Sequence, residues 1–154
     1  MEMSSRARVL GFGAALLLPA ACSGPFDSHT PPGIEFHVAG TLFGPGDTIR
    51  VNLSNNTEHA LSYNLCTKDL ERRVDGSWLV VQTFSQDIVV VCYSRLYHLP
   101  PGESTFGVQI VYPFLDSGIY RFRDQVEWSL NDGRVEVIRK RVDVISNAFS
   151  IAQE

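Results

Sequence analysis

The sequence predicts an all-β domain, an antiparallel β-sandwich of about seven to nine strands. Apolar residues alternate with polar ones along most of the chain after residue 33, which is the pattern of strands with one buried face. Turn-forming clusters such as Pro45-Gly46-Asp47 and Pro100-Pro101-Gly102 separate these stretches. A closed barrel built from the same strands would show the same alternation and remains the alternative.

Length, composition and charge narrow the classes of function. A chain of 154 residues with 44% hydrophobic residues is large enough for one domain with a sizeable core. It carries 13 basic and 17 acidic residues, a formal net charge of -4. Neutralising phosphates takes clustered Lys and Arg, so we expect no nucleic-acid partner.

The first element, residues 1–21, reads as an export signal. Arg6 and Arg8 precede an apolar run over residues 9–18, and small residues follow it. The run is too short to span a bilayer, which takes roughly 20 apolar residues. We therefore expect an exported protein.

Residues 20–24, Ala-Ala-Cys-Ser-Gly, resemble a bacterial lipobox. The resemblance implies a lipid on Cys22 and attachment to a membrane of the cell envelope, on its periplasmic or surface side. Pro19 stands where the motif usually has Leu, so ordinary signal cleavage after Ser23 stays open. Residues 22–33, rich in Pro, Gly and Ser, form the predicted flexible tether, and residues 34–154 form the domain.

Each predicted strand has one apolar face that we expect to point into the core. These faces are Ile34, Phe36 and Val38; Ile49, Val51 and Leu53; Leu61, Tyr63 and Leu65; Phe106, Val108 and Ile110; Tyr120, Phe122, Val126, Trp128 and Leu130.

Two hairpins are predicted from their turns. Asp75-Gly76 lies between residues 70–74 and 78–82, and Gly accepts a positive φ at little cost. Trp78, directly after this turn, is expected to anchor the core together with Tyr120. Asp132-Gly133 closes the second hairpin.

In that second hairpin we expect Leu130 opposite Val135, and Trp128 opposite Val137. Asp124 interrupts the apolar face of its strand, which a β-bulge at that height would explain.

Cys66 and Cys92 are the two cysteines that remain when Cys22 is assigned to lipid. An even pair in an exported domain predicts a disulfide. Two buried thiols are the alternative. A metal site that also uses His98 lacks the usual ligand spacing.

Several segments resemble a family of bacterial Ig-like domains found on small exported lipoproteins. They are residues 51–57, 63–66, 70–78, 99–104, 118–122 and 146–151, so the resemblance runs from about Ile34 to Ile151. It implies an Ig-like sandwich and names no ligand.

No nucleophile elbow, phosphate-binding loop or metal-binding helix motif occurs in the sequence. We therefore expect no enzyme activity, no cofactor, and neither catalytic nor metal-ligating residues. Arginines of the last hairpin are expected to pair across strands with Glu127 and Glu136.

The expected function is a non-catalytic envelope module that presents loops or an edge strand to a protein or glycan. The residues proposed for binding are Tyr93, Arg95, Tyr97 and His98, where aromatic and Arg side chains cluster. Packing of Tyr93 and Tyr97 on the core is the alternative. A proteinase-inhibitor-like module is the alternative, with residues 99–102 as its candidate loop.

Overall fold

The computed structural model of the chain describes residues 30–83, 95–130 and 138–153, and every regular element in these ranges is a strand. The eleven strands are β1 (Ile34–Ala39), β2 (Leu42–Phe43), β3 (Thr48–Asn55), β4 (Leu61–Tyr63), β5 (Asp69–Val74), β6 (Ser77–Thr83), β7 (Tyr97–Leu99), β8 (Ser104–Ile110), β9 (Gly118–Leu130), β10 (Ile138–Ile145) and β11 (Phe149–Ile151).

The strands form two sheets. The small sheet has three strands in the order β1-β3-β8. The large sheet has eight strands and is organised by β9, which pairs with β10 and β11 along one edge and with β4 and β5 along the other. β7 extends the sheet beyond β4, β6 beyond β5, and β2 beyond β11. Among the pairs formed by the described strands, the short β2–β11 pair is the parallel one and the others are antiparallel.

One hydrophobic core lies between the two sheets and confirms the predicted antiparallel β-sandwich over the barrel. The small sheet contributes residues such as Val51 and Leu53, and the large sheet contributes Tyr120, Phe122 and Phe149. The strand count exceeds the prediction because β2 and β7, of two and three residues, are too short to show a period of two.

The first hairpin is confirmed. β5 and β6 pair antiparallel, with Val74 opposite Ser77 across the turn. Asp75 has φ 49° and Gly76 has φ 83°, the two positive values that a type I′ turn requires.

The register predicted for the second hairpin is wrong. Leu130 pairs with Ile138 and Trp128 with Lys140, three positions further along β10 than expected. This register aligns the inward positions Val126 and Val142, which is where the apolar faces of the two strands meet. Val135 and Val137 lie outside the described residues.

The β-bulge expected at Asp124 is also misplaced. Asp124 pairs with Val144 in a register that runs unbroken through β10. The register steps by one residue between Ile145 and Phe149 instead. There the Ser146 hydroxyl accepts the N–H of Phe122 at 2.9 Å, so a side chain supplies the bond that the step displaces.

Trp78 is half-buried and does not anchor the core, whereas Tyr120 is fully buried as predicted. The guanidinium carbon of Arg121 lies 4.3 Å from the centre of the Trp78 ring. β6 is an outer strand that pairs with β5 alone among the described strands, so its apolar residues gain less burial than the sequence suggests.

The chain enters the sandwich through contacts made before β1. The backbone N–H of Ile145 donates to the Thr30 hydroxyl at 2.7 Å, and the N–H of Asn56 donates to the Gly33 carbonyl at 2.6 Å. The last residues assigned to the tether therefore contact the domain. Cys22 and the export signal lie outside the described residues, and no described segment forms a helix that could cross a bilayer.

Candidate functional site

An open groove of about 510 Å³ runs along β8 between the two sheets. Six consecutive residues of β8, 105–110, form one side of it. Tyr63 of β4, Tyr97 of β7, and Leu65 and Tyr112 from connecting segments contribute to the other side. The groove thus follows the margin of the small sheet.

The side chains of β8 point opposite to the prediction. Phe106, Val108 and Ile110 are 54%, 59% and 56% exposed, and the alternate residues Thr105, Gly107 and Gln109 face inward. The register with β3 fixes this orientation, because Thr105, Gly107 and Gln109 pair with the buried residues of β3. A glycine suits position 107, where a Cβ atom would lie only 3.2 Å from the Cβ atom of Leu65.

Alternate residues of β8 direct their backbone N–H and C=O groups to β3. The N–H of Asn55 donates to the Glu103 carbonyl at 2.9 Å, and the N–H of Val111 donates to the Asp47 carbonyl at 2.8 Å. Hydrogen-bonded positions alternate along an antiparallel pair, so residues 105, 107 and 109 face β3.

By the same alternation, the N–H and C=O groups of Phe106, Val108 and Ile110 point to the other edge. No described strand pairs with that edge. β8 therefore presents the backbone N–H and C=O groups of these three residues at the margin of the groove.

Aromatic rings form the wall opposite β8. Tyr63 and Tyr97 are paired residues of β4 and β7 with ring centres 5.8 Å apart. The Tyr63 hydroxyl hydrogen-bonds to the Thr105 hydroxyl at 3.3 Å, which joins this wall to β8. Arg95 lies over the outer ring, with its guanidinium carbon 5.7 Å from the centre of Tyr97.

The structure brings part of the proposed binding surface to the groove. Tyr97 lines it and Arg95 contacts Tyr97. His98 is exposed and, as the next residue along β7, points to the opposite face of the sheet. Tyr93 lies outside the described residues.

Behind the groove lies a buried pair of charges that sequence reasoning missed. Lys68 is 2% exposed, and its ammonium donates to the Leu65 carbonyl at 2.7 Å. Burial lowers the pKa of Lys68 to about 8, and the charge of Asp124 opposes that shift.

Burial also raises the pKa of Asp124 to about 7, against the hydrogen bond from the Gln125 N–H and the charge of Lys68. The inward position of Asp124, between Phe122 and Val126, was the sequence signal for a buried partner.

A second buried polar residue, Asn55, holds the start of β8 in place. Its amide donates to the carbonyls of Leu99 at 2.9 Å and His59 at 2.8 Å, and its oxygen accepts the Thr57 hydroxyl at 2.7 Å. These bonds tie the end of β3 to the point where the chain crosses from β7 to β8, which gives Asn55 a structural role at this position.

We expect Asn55→Ala to lower the free energy of unfolding by about 1–3 kcal/mol, because it leaves the buried Leu99 carbonyl without this donor. Chemical denaturation gives the measurement, and Asn56→Ala, at an exposed neighbour, is the matched control with little expected change. Equal midpoints for both variants would show that Asn55 does not hold this crossing.

Opposite charges balance one another on the outer face of the large sheet. Arg141 contacts Glu127 at 2.8 Å, Arg121 contacts Glu71 at 2.6 Å, and Arg123 contacts Asp143 at 2.8 Å. The predicted cross-strand pairing with Glu127 is therefore confirmed, while Glu136 lies outside the described residues. This face is charged, whereas the groove is mainly apolar.

The remaining site residues are the cysteines. Cys66 lines the groove, and Cys92 lies outside the described residues, so the Cys66–Cys92 bridge stays a prediction. Within the described ranges no three His, Cys, Asp or Glu side chains are grouped closely enough to hold a metal ion.

We expect non-reducing peptide mapping of the purified protein to recover one cross-linked pair, Cys66–Cys92. Closing a loop of this size is worth roughly 3–4 kcal/mol in the chain-entropy model, so reduction should also lower the unfolding midpoint. Alkylation of both thiols without prior reduction would contradict the bridge.

Comparison with known proteins adds a weak likeness of fold. No protein-family model matches the chain. No curated protein matches it either. Among solved structures, it is similar to the ASH/PapD-like domain of human CEP192 (PapD-like domain 7), with 12% sequence identity, coverage of 90% of this chain and 98% of that one, and a TM-score of 0.36. At this TM-score the similarity carries no argument about function.

Proposed function

We propose that this protein is a non-catalytic, lipid-anchored module of the cell envelope that binds a protein partner in the groove along β8. The observation that supports the proposal most strongly is the edge of β8. It carries exposed apolar side chains, unpaired backbone groups among the described strands, and no charged residue. Natural proteins usually guard such an edge with Lys, Pro or a bulge, and β8 has none of these.

A protein partner is favoured over a glycan because the groove offers backbone groups and apolar surface along a whole strand. Glycan sites need several polar side chains for the hydroxyl groups. Here the exposed large side chains are those of Phe106, Val108, Ile110 and Tyr97, and none of them is charged. Contiguous exposed apolar surface of this kind marks protein interaction sites.

The inhibitor-like alternative is less favoured by the shape of its loop. Leu99 is buried, and residues 100–103 form a tight turn in which the Glu103 N–H donates to the Pro100 carbonyl at 3.3 Å. Proteases bind extended segments, whereas this segment is closed by its own hydrogen bond.

Site-specific photo-crosslinking in the native envelope tests the proposal. A photoreactive residue placed at Val108 should give a defined protein adduct, and the same residue at the exposed His37 on β1 should not. The adduct should disappear when Phe106→Lys is added. Identical adducts from both positions, or none from Val108, would contradict binding in the groove.

Lipid attachment at Cys22 has its own test. Intact-mass analysis of the membrane fraction should show the mass of acyl chains on a chain that begins at Cys22. The protein should be found in that fraction because each buried CH₂ of an acyl chain contributes about 0.8 kcal/mol to membrane binding. Cys22→Ala should remove that mass. A wild-type protein that is soluble and begins at Gly24 would refute the anchor.

A further inference from the structure

We infer that the partner supplies an uncharged, apolar, extended segment that adds to β8 as the next strand of the small sheet. This inference rests on the proposed function and specifies the kind of partner that the groove accepts.

The backbone groups of β8 that face the groove suit an extended chain. The N–H and C=O groups of residues 105, 107 and 109 bond to β3, and the hydrogen bonds at Asn55 and Val111 establish this alternation. Phe106, Val108 and Ile110 direct theirs to the groove. Three donors and three acceptors at alternate positions match an extended chain and match neither a helix nor a sugar. One of the acceptors, the Ile110 carbonyl, also receives the Gln109 side-chain N–H at 3.4 Å.

The length of β8 suits a short extended segment. Residues 105–110 span roughly 20 Å at about 3.3 Å per residue, which suits a partner segment of about six residues. Alternate side chains of that segment would lie beside Phe106, Val108 and Ile110 on the outer face. The others would point into the groove toward Tyr63 and Leu65.

The side chains that line the groove are almost all uncharged. β8 has the sequence Ser-Thr-Phe-Gly-Val-Gln-Ile, with no ionisable group. Among the described residues that line the groove, Lys68 is the single charged one, and it is buried against the Leu65 carbonyl. A charged side chain that entered the groove would lose its hydration there. The nearby cations are exposed at its margin, with Arg95 beside Tyr97 and the Arg50 guanidinium carbon 3.9 Å from the centre of the Phe106 ring, so the groove itself selects apolar side chains.

Amide exchange measured by NMR tests the inference on the folded protein. The probe is a blocked heptapeptide of alternating valine and threonine. On saturation, exchange at Phe106, Val108 and Ile110 should slow by about tenfold or more, since these amides gain hydrogen bonds. Exchange at residues 105, 107 and 109, already bonded to β3, should stay unchanged.

Two control peptides separate side-chain effects from backbone effects. Lysine in place of the valines should abolish binding. N-methylation of alternate amides keeps the side chains and removes the donors, and should weaken binding by about tenfold. In the protein, Val108→Lys should prevent peptide binding while Val108→Ile retains it, with unfolding midpoints close to the wild-type value for both.

The outcomes distinguish this inference from the proposed function. Peptide binding without the alternating protection would overturn strand addition and leave binding in the groove standing. Crosslinking of an envelope protein at Val108, with no binding of the valine–threonine peptide, would do the same. Protection of the three amides before any peptide is added would overturn the inference, because a segment of this chain would then occupy the edge. Loss of both crosslinking and peptide binding would overturn both.

Discussion

Phe122→Ala is expected to lower the free energy of unfolding by about 3–5 kcal/mol, a large part of the stability of a small domain. Phe122 is fully buried at the middle of β9, where it pairs with Leu70 of β5. Its ring centre lies 5.4 Å from that of Phe149, so truncation leaves a cavity between β9 and β11. Urea denaturation followed by circular dichroism measures the loss.

Trp78→Ala is the control for this result. It removes a larger side chain, yet Trp78 packs on Arg121 at the surface of the sheet, so we expect a loss below about 1 kcal/mol. Equal losses for the two variants would show that Trp78 belongs to the core after all, and that the position of β6 described above is wrong.

The second large effect is expected at Lys68 and Asp124. Replacing either alone, as in Lys68→Met or Asp124→Leu, leaves the other buried without its counter-charge and should cost about 3–5 kcal/mol. The double variant replaces both charges with apolar side chains and should be at least as stable as wild type near neutral pH, because burial disfavours both charged forms. A double-mutant cycle of unfolding free energies measures this coupling, and additive losses would contradict it.

The same pair predicts a pH profile. The pKa of Asp124 is raised from 3.8 to about 7 in the fold, so its contribution to stability is lost as pH rises through that interval. The pKa of Lys68 is lowered from 10.5 to about 8, so its contribution is lost as pH falls through that interval. Relative to the double variant, the wild-type protein should therefore be least stable between about pH 7 and pH 8. Parallel pH profiles for the two proteins would rule out titration of this pair.

Local signals predicted much of the fold. The period of two gave the buried faces of β1 and β3, and Asp75-Gly76 located the β5–β6 turn because its φ values depend on those two residues alone. The orientation of β8 could not be read in this way. It depends on the register with β3, a strand some 50 positions away, which turns Thr105, Gly107 and Gln109 inward.

The candidate site was predicted only in part, because some of it depends on contacts between segments that are distant in sequence. Tyr97 was proposed from its aromatic neighbours and does line the groove. Lys68 was missed because no pattern in the neighbouring sequence indicates that its side chain is buried. Its counterpart Asp124 broke the apolar pattern of β9, and the break was attributed to backbone geometry when its cause is a charge on another segment.

The central place of β9 governs the order in which this protein can fold. β4, β5, β10 and β11 all pair directly with residues 118–130, while β2, β6 and β7 depend on those strands. A chain that emerges from its amino terminus can therefore assemble β1, β3 and β8 before β9 is present, but the large sheet must wait. Because this closure joins strands far apart in sequence, we expect slow folding, and a chain that ends before residue 118 should lack a stable core. The interval before β9 arrives is also when the uncharged strands β6 and β8 are most exposed to aggregation.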